Sequence, residues 1–112
     1  MKQFNFIGEK FSNRYVYTEV LECEDFIRLE KIRVNKKYRN LGYGTLTINK
    51  IIEYADKKNK ILVLCAEPQD KKWSLKRLMN FYKRFGFIEN EGANYIDIFW
   101  NDNMYRLPSK RR

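Results

Sequence analysis

Two glycines between an extended stretch and an amphipathic stretch are the residues of this sequence whose spacing could do chemistry. They lie in a loop that reads Arg39, Asn40, Leu41, Gly42, Tyr43, Gly44, Thr45. Glycine lets the backbone approach a ligand closely, and the first amides of a helix have no acceptor within the helix. With the positive end of the helix dipole behind them, these amides predict a site for a phosphate or pyrophosphate group. A phosphate-bearing cofactor is therefore expected.

Extended and helical patterns alternate around this loop. Residues 15–23 and 26–34 are rich in β-branched and aromatic side chains and are separated by an acidic turn, which predicts an antiparallel hairpin. Apolar residues recur at helical spacing over residues 44–58. Residues 61–65 are apolar on both sides, which indicates a central strand. A strand, a helix and a strand in this order predict a right-handed parallel crossover.

A second helix is predicted in the later part of the chain. Ser74 can cap its first turn and Gly86 can end it. Its core face would consist of Leu75, Leu78, Tyr82 and Phe85. Residues 95–100 and 104–107 could form a terminal hairpin, and residues 4–7 a short first strand. The pattern as a whole predicts a mixed α/β fold.

Composition favours one globular domain in an intracellular setting. A chain of 112 residues with 44% apolar residues can bury a single core. It contains no histidine, and its two cysteines, Cys23 and Cys65, lack CxxC spacing, so neither a metal site nor a disulfide framework is expected. Both lie in apolar-rich extended runs as reduced thiols, and Cys65 is expected in the core rather than as a nucleophile, since the chain has no histidine to activate it. No apolar run approaches the roughly 18 residues of a membrane span, so a soluble cytoplasmic protein is expected.

The formal charge of +9 is concentrated in two segments. Residues 28–39 contain six basic residues against one glutamate, and residues 71–84 contain six basic residues and no acid. Such clusters suit either a polyanionic cofactor or a nucleic acid. Charge alone leaves both open.

Three features, in this order along the chain, resemble the GNAT family of acyl-CoA N-acyltransferases. They are Ile32 and Val34 ending a strand, Arg39-x-x-Gly42-x-Gly44 opening a helix, and the downstream run from Phe81 and Tyr82 to Phe87. The chain is most similar to the smallest members, some of them phage-borne, which lack the two helices usually found between the first two strands. The resemblance implies a minimal GNAT fold: a mixed, mostly antiparallel sheet with a central parallel pair and two main helices.

The resemblance also implies acetyl-CoA as cofactor. In the family, the backbone of the strand matching Ile32 to Val34 binds the pantetheine arm, and the loop amides bind the pyrophosphate. The cofactor-binding residues are therefore expected to be Ile32, Val34, Arg39, Leu41, Gly42, Tyr43, Gly44 and Thr45. Lys36 and Lys37 could contact the ribose phosphate.

For the chemistry, the resemblance implies direct attack of a primary amine on the thioester in a ternary complex. Tyr82 matches the family's proton donor to the departing sulfur. Period-two alternation would place Glu30 on one face with Phe26, Arg28, Ile32 and Val34, which makes Glu30 a candidate for amine deprotonation. Glu67 and water are the alternatives. Because the helices that usually wall the acceptor site are missing, a protein lysine is the expected acceptor.

Two other functions fit the sequence. A basic nucleic-acid-binding module would account for the charge and the aromatic content, although the strands carry no recognisable RNA-binding aromatic signature. A GNAT-fold protein that binds coenzyme A without turnover would account for the glycine loop. The sequence leaves the acceptor and the oligomeric state open.

Overall fold

A mixed β-sheet with two helices packed on one face makes up the described part of this computed structural model, residues 4–68, 72–96 and 102–109. Its strands are β1 (Phe4–Phe6), β2 (Val16–Cys23), β3 (Phe26–Val34), β4 (Ile61–Leu64), β5 (Ile88–Glu89) and β6 (Met104–Arg106). The helices are α1 (Tyr43–Lys57) and α2 (Leu75–Lys83). The strand order is β1-β2-β3-β4-β6-β5.

The central parallel pair that the sequence predicts is confirmed. β3 and β4 run parallel, from Phe26 opposite Ile61 to Leu29 opposite Leu64. The other neighbours are antiparallel, including the predicted hairpin of β2 and β3. Between β1 and β2 the chain forms one 3-10 turn, Gly8–Lys10, in place of longer helices.

Apolar side chains are buried on both faces of the central part of the sheet. On the helix-side face, α1 buries Ile48, Ile51 and Ile52 against a cluster that includes Leu29 and Leu62. On the opposite face, called here the outer face, a second cluster consists of Leu21, Cys23, Phe26, Val63 and Tyr105. Burial on both sides explains why β4 is a short, continuous apolar run.

A bulge in β3 changes which face Glu30 belongs to. Glu19 lies opposite Lys31 and Val20 opposite Leu29, so Glu30 has no residue opposite it on β2. An extra residue of this kind interrupts the alternation of side chains. Leu29 and Ile32 therefore both pack toward the helices, whereas Arg28 lies on the outer face and its Nη1 pairs with Glu30 Oε1 at 3.1 Å. The prediction that Glu30 shares one face with Ile32 is wrong.

The end of β4 separates from β3. The backbone N–H of Ala66 donates to Asn103 Oδ1 at 2.7 Å, and Asn103 Nδ2 donates to the Ala66 carbonyl oxygen at 3.0 Å. Pairing between β3 and β4 ends at Leu29 and Leu64, while β3 continues to Val34. The two strands therefore enclose a wedge. Cys65, at the start of this separation, is exposed, so its predicted core position is wrong.

The second helix begins after Ser74 as predicted, but it ends at Lys83, before the predicted Phe85, and its buried face differs. Ser74 Oγ accepts a hydrogen bond from the Arg77 backbone at 3.1 Å, and Gly86 adopts a φ of 93° after the last turn. Tyr82 is buried, but Leu75 is 46% exposed, so its predicted core position is wrong. Residues 97–100 lie outside the described residues, and with them most of the first strand of the predicted terminal hairpin. No helix in the described ranges is long and apolar enough to cross a membrane.

Candidate active site

The glycine loop presents an uncapped helix start. Gly42 is the N-cap of α1 with a φ of 87°. Because glycine has no side chain, it cannot cap the first turn of the helix with a side-chain hydrogen bond. The first amides of α1 are therefore free of both intrahelical and capping partners. A Cβ at Gly44 would lie 3.2 Å from Val34 Cγ2, which shows how closely the loop approaches the end of β3. This geometry fits a bound phosphate group.

A groove of about 500 Å³ runs from this loop along β3 to α2 and is called here the cofactor groove. Of the predicted cofactor-binding residues, it is lined by Ile32, Val34, Arg39, Gly42, Gly44 and Thr45. The Leu41 side chain is 63% exposed and the Tyr43 ring stacks on Tyr15 at 4.2 Å, and neither residue lines the groove. Any role of Leu41 and Tyr43 in binding therefore rests on their backbone amides.

Positive charge lines the cofactor groove. Lys31 and Arg33 come from β3, Arg39 from the loop and Arg84 from the end of α2. Arg39 Nε donates to the Val34 carbonyl oxygen at 3.3 Å, which holds the guanidinium beside the strand end. Together with the start of α1, these groups create a field that attracts a polyanion.

A second cavity of about 210 Å³ fills the wedge between β3 and β4 and is called here the transfer pocket. It shares five lining residues with the cofactor groove: Lys31, Ile32, Trp73, Leu78 and Tyr82. The transfer pocket, but not the cofactor groove, is also lined by Glu30, Cys65 and Glu67. The two spaces therefore form one path from the glycine loop to a pair of carboxylates.

Tyr82 is the buried polar side chain that both cavities share. It is 8% exposed, and the rings of Phe81 and Phe87 lie 5.4 and 5.7 Å from its own. Burial raises the pKa of Tyr82 to about 12. The phenol therefore stays protonated at neutral pH and is available as a proton donor.

Glu30 is part of an ion-pair chain that the sequence did not reveal. Arg28 bridges Glu30 to Asp102, with Arg28 Nε 2.9 Å from Asp102 Oδ1. The Asp102 side chain is fully buried, and its Oδ2 has no hydrogen-bond partner. Burial raises the pKa of Asp102, and the Arg28 guanidinium opposes that rise. Asp102 lies in a polar turn 74 residues from Arg28, so no local pattern could have indicated the pairing.

The thiol of Cys65 is a poor candidate for a nucleophile. Although the residue is exposed, partial desolvation of its thiol is the largest influence on the pKa of Cys65, followed by the Asp102 and Glu67 carboxylates, and all three raise it. A raised pKa disfavours the thiolate, which is the reactive form. Sequence reasoning also missed Trp73 and Leu78, which line both cavities, because their apolar character at the start of a helix suggested packing alone.

Comparison with known proteins identifies a family. The model of the acetyltransferase (GNAT) family matches residues 7–87. An uncharacterised N-acetyltransferase of Methanocaldococcus jannaschii is 35% identical over 71 residues, which are 63% of this chain and 30% of that protein. The chain thus spans under a third of that relative's length.

Solved structures show the same fold. The anti-CRISPR protein AcrVA5 aligns with a TM-score of 0.65 and 19% identity, over 93% of this chain and 96% of its own. A GNAT-family protein from Bacteroides thetaiotaomicron aligns with a TM-score of 0.62 and 24% identity, over 97% and 63%. The family resemblance seen in the sequence and the predicted mixed α/β fold are both confirmed.

Proposed function

The chain belongs to the GNAT family of acetyltransferases, whose cofactor is acetyl-CoA, and we propose that it transfers the acetyl group to a protein lysine. One observation carries the proposal. The cofactor groove and the transfer pocket form a continuous path from the uncapped start of α1, past the part of β3 beyond its pairing with β4, to the phenol of Tyr82.

The residues present suit coenzyme A along this path. The pyrophosphate would lie on the amides of Gly42 to Thr45, where the glycine backbone permits close approach and Arg39 supplies charge. Beyond Leu29, β3 has no partner strand on its β4 side in the described part of the chain. The pantetheine amides could pair with the backbone of Ile32 to Val34 as an added strand would.

Tyr82 supplies the acid in this proposal. As the amine nitrogen bonds to the acetyl carbon and the carbon–sulfur bond breaks, the sulfur leaves with an electron pair and needs a proton. Tyr82 is buried beside the wedge and retains its proton at neutral pH. It would donate that proton to the sulfur and regain one from solvent after product release.

Glu30 is the proposed acceptor of the amine's proton. It lines the transfer pocket, and its Oε1 lies 3.1 Å from Arg28 Nη1. Glu67 lines the same pocket from beyond β4 and is the competing base, either directly or through water. Comparing Glu30→Gln with Glu67→Gln separates them, because removal of the base should lower kcat about 100-fold or more while the other change has little effect.

The acceptor side of the site is accessible to a large substrate. Only the 3-10 turn Gly8–Lys10 and its flanking loop connect β1 to β2, so no long helix lies between these strands. A lysine at the surface of a folded or extended protein could therefore reach the transfer pocket.

The test is incubation of the purified chain with acetyl-CoA and a lysine-containing peptide. We expect stoichiometric release of free thiol and acetylated peptide by mass spectrometry. The proposal also requires that acetyl-CoA raise the melting temperature. If acetyl-CoA stabilises the protein but no amine is acetylated, the chain is a coenzyme A-binding protein without turnover. If neither effect occurs, both coenzyme A functions are wrong.

A further inference from the structure

A cavity of about 520 Å³ adjoins the transfer pocket and is called here the acceptor groove. Its lining includes the rings of Phe6 and Tyr17 and the carboxylates of Glu9, Glu19 and Glu30. Glu30 also lines the transfer pocket, so the two cavities meet at this residue. A molecule lying in the acceptor groove would therefore begin next to the proposed site of acetyl transfer.

Two aromatic rings in this groove are open to solvent. Phe6 is 73% exposed and Tyr17 is 51% exposed, although each lies on a paired strand. Tyr17 and Glu19 share the outer face because they are two residues apart on β2, and Phe6 lies opposite Leu21 on that same face. Exposed rings on a sheet face offer apolar contact area and a surface for cations.

The charge of the acceptor groove is opposite to that of the chain. The chain carries a formal charge of +9, yet the charged side chains that line this groove are three glutamates. Tyr17 Oη donates a hydrogen bond to Glu19 Oε2 at 2.6 Å, which fixes one carboxylate beside the ring. Charge complementarity therefore favours a cationic occupant here, whereas the cofactor groove, at the other end of the transfer pocket, favours an anion.

We propose that the acceptor groove binds the polypeptide around the acceptor lysine and selects a segment with a second basic residue close to that lysine. This inference rests on the proposed function. In an extended peptide, side chains on one side are about 7 Å apart. The lysine would enter the transfer pocket past Glu30, and the second basic side chain would lie against the Tyr17 ring and pair with Glu19.

A polypeptide fits these residues better than a small polyamine. A polyamine would satisfy the carboxylates but would leave most of the Phe6 and Tyr17 rings uncovered. A peptide backbone with its side chains can contact both rings while its basic group pairs with Glu19. The chemistry of the groove therefore indicates a basic peptide segment.

The test compares two fluorescein-labelled peptides of equal length. One has an arginine two residues from its lysine, and the other has alanine at that position. With coenzyme A present, fluorescence anisotropy should show about tenfold tighter binding of the arginine peptide, since exposed carboxylates contribute about threefold each. The preference should weaken as KCl is raised, because the groove is open to solvent.

Substitution of the glutamates tests whether the preference for the arginine peptide comes from the acceptor groove. In Glu9→Gln/Glu19→Gln the two peptides should bind equally. Glu53→Gln, which removes an exposed carboxylate on α1, should keep the full preference. The inference is overturned if wild type binds both peptides equally, if the double substitution keeps the preference, or if spermidine displaces the arginine peptide at equal concentration.

The binding assay separates this inference from the proposed function. Selective binding of the arginine peptide without any acetylation would support peptide selection by the acceptor groove and contradict the proposed acetyl transfer to lysine. Acetylation of both peptides with the same KM would support the proposed acetyl transfer and overturn the proposed peptide selection by the acceptor groove.

Discussion

Asp102 and Asn103 are adjacent in sequence and hold opposite sides of the transfer pocket. Asp102 pairs with Arg28, which in turn pairs with Glu30 on β3. Asn103 makes two hydrogen bonds to the backbone of Ala66, just beyond β4. The width of the wedge between the two strands therefore depends on one short segment before β6.

Asn103→Ala should weaken cofactor binding as well as the fold. It removes two hydrogen bonds, each contributing about 1 kcal/mol, so the free energy of unfolding should fall by about 2 kcal/mol. Without them the end of β4 is free to move toward β3, and the Kd for acetyl-CoA should rise. Denaturant unfolding and calorimetric titration measure the two effects. Asn13→Ala is the control: it also removes two side-chain hydrogen bonds, to Tyr15 and Val16, but it should leave the Kd unchanged.

Arg28→Met should destabilise the protein in a pH-dependent way. Removing one partner of a buried pair costs about 3 kcal/mol, because Asp102 is left as an uncompensated charge. Without the guanidinium the pKa of Asp102 rises further above its value in the unfolded chain, so the folded state binds the proton more tightly. The loss should therefore be smallest at acid pH and grow as pH rises above about 4. A loss that is constant across pH 3 to 7 would contradict the role of Asp102.

Gly42→Ala should reduce acetyl-CoA affinity without a steric clash. At Gly42 a Cβ would meet nothing within 4 Å, so the substitution acts through the φ of 87° alone and should cost about 1–2 kcal/mol of stability. The loop would relax and its amides would lose their alignment. Gly92→Ala has the same open surroundings and a φ of 56° but lies far along the chain from the loop. Equal effects of the two substitutions on cofactor affinity would argue against the loop as the anion site.

The stability of the protein should also fall at alkaline pH because of Tyr82. Burial raises the pKa of Tyr82 in the folded state to about 12, against about 10 for an unperturbed tyrosine, so the folded state disfavours the phenolate. The contribution is fully present below pH 10 and is lost as pH rises toward 12. In Tyr82→Phe this part of the pH dependence should be absent from unfolding curves measured between pH 9 and 11.

Local sequence patterns were sufficient to predict the main strands and helices of this protein. The bounds of β3 were predicted without error and those of α1 to within one residue, because a buried face imposes a strong period on each element. The parallel pairing followed from chain order, since a helix separates β3 from β4. The N-cap at Ser74 and the left-handed conformation of Gly86 shortly after α2 followed from residue types that suit those positions.

The details of the site depended on distant residues instead. The face of Glu30 was predicted wrongly because the bulge arises from the register between β2 and β3, which no single strand reveals. Cys65 was predicted in the core because it continues an apolar run, whereas the side chain of Asn103, 37 residues beyond Ala66, binds the Ala66 backbone and redirects the chain after Leu64. The acceptor groove likewise requires β1 and β2 to be brought beside β3.

The most direct test of the account is the Tyr82→Phe variant in a single-turnover assay with acetyl-CoA and a lysine peptide. The substitution removes the phenolic proton donor and leaves the ring that packs between Phe81 and Phe87. We expect the rate of thiol release to fall about 100-fold or more, with the Kd for acetyl-CoA unchanged. An unchanged rate of acetyl transfer would contradict the assignment of Tyr82 as the acid.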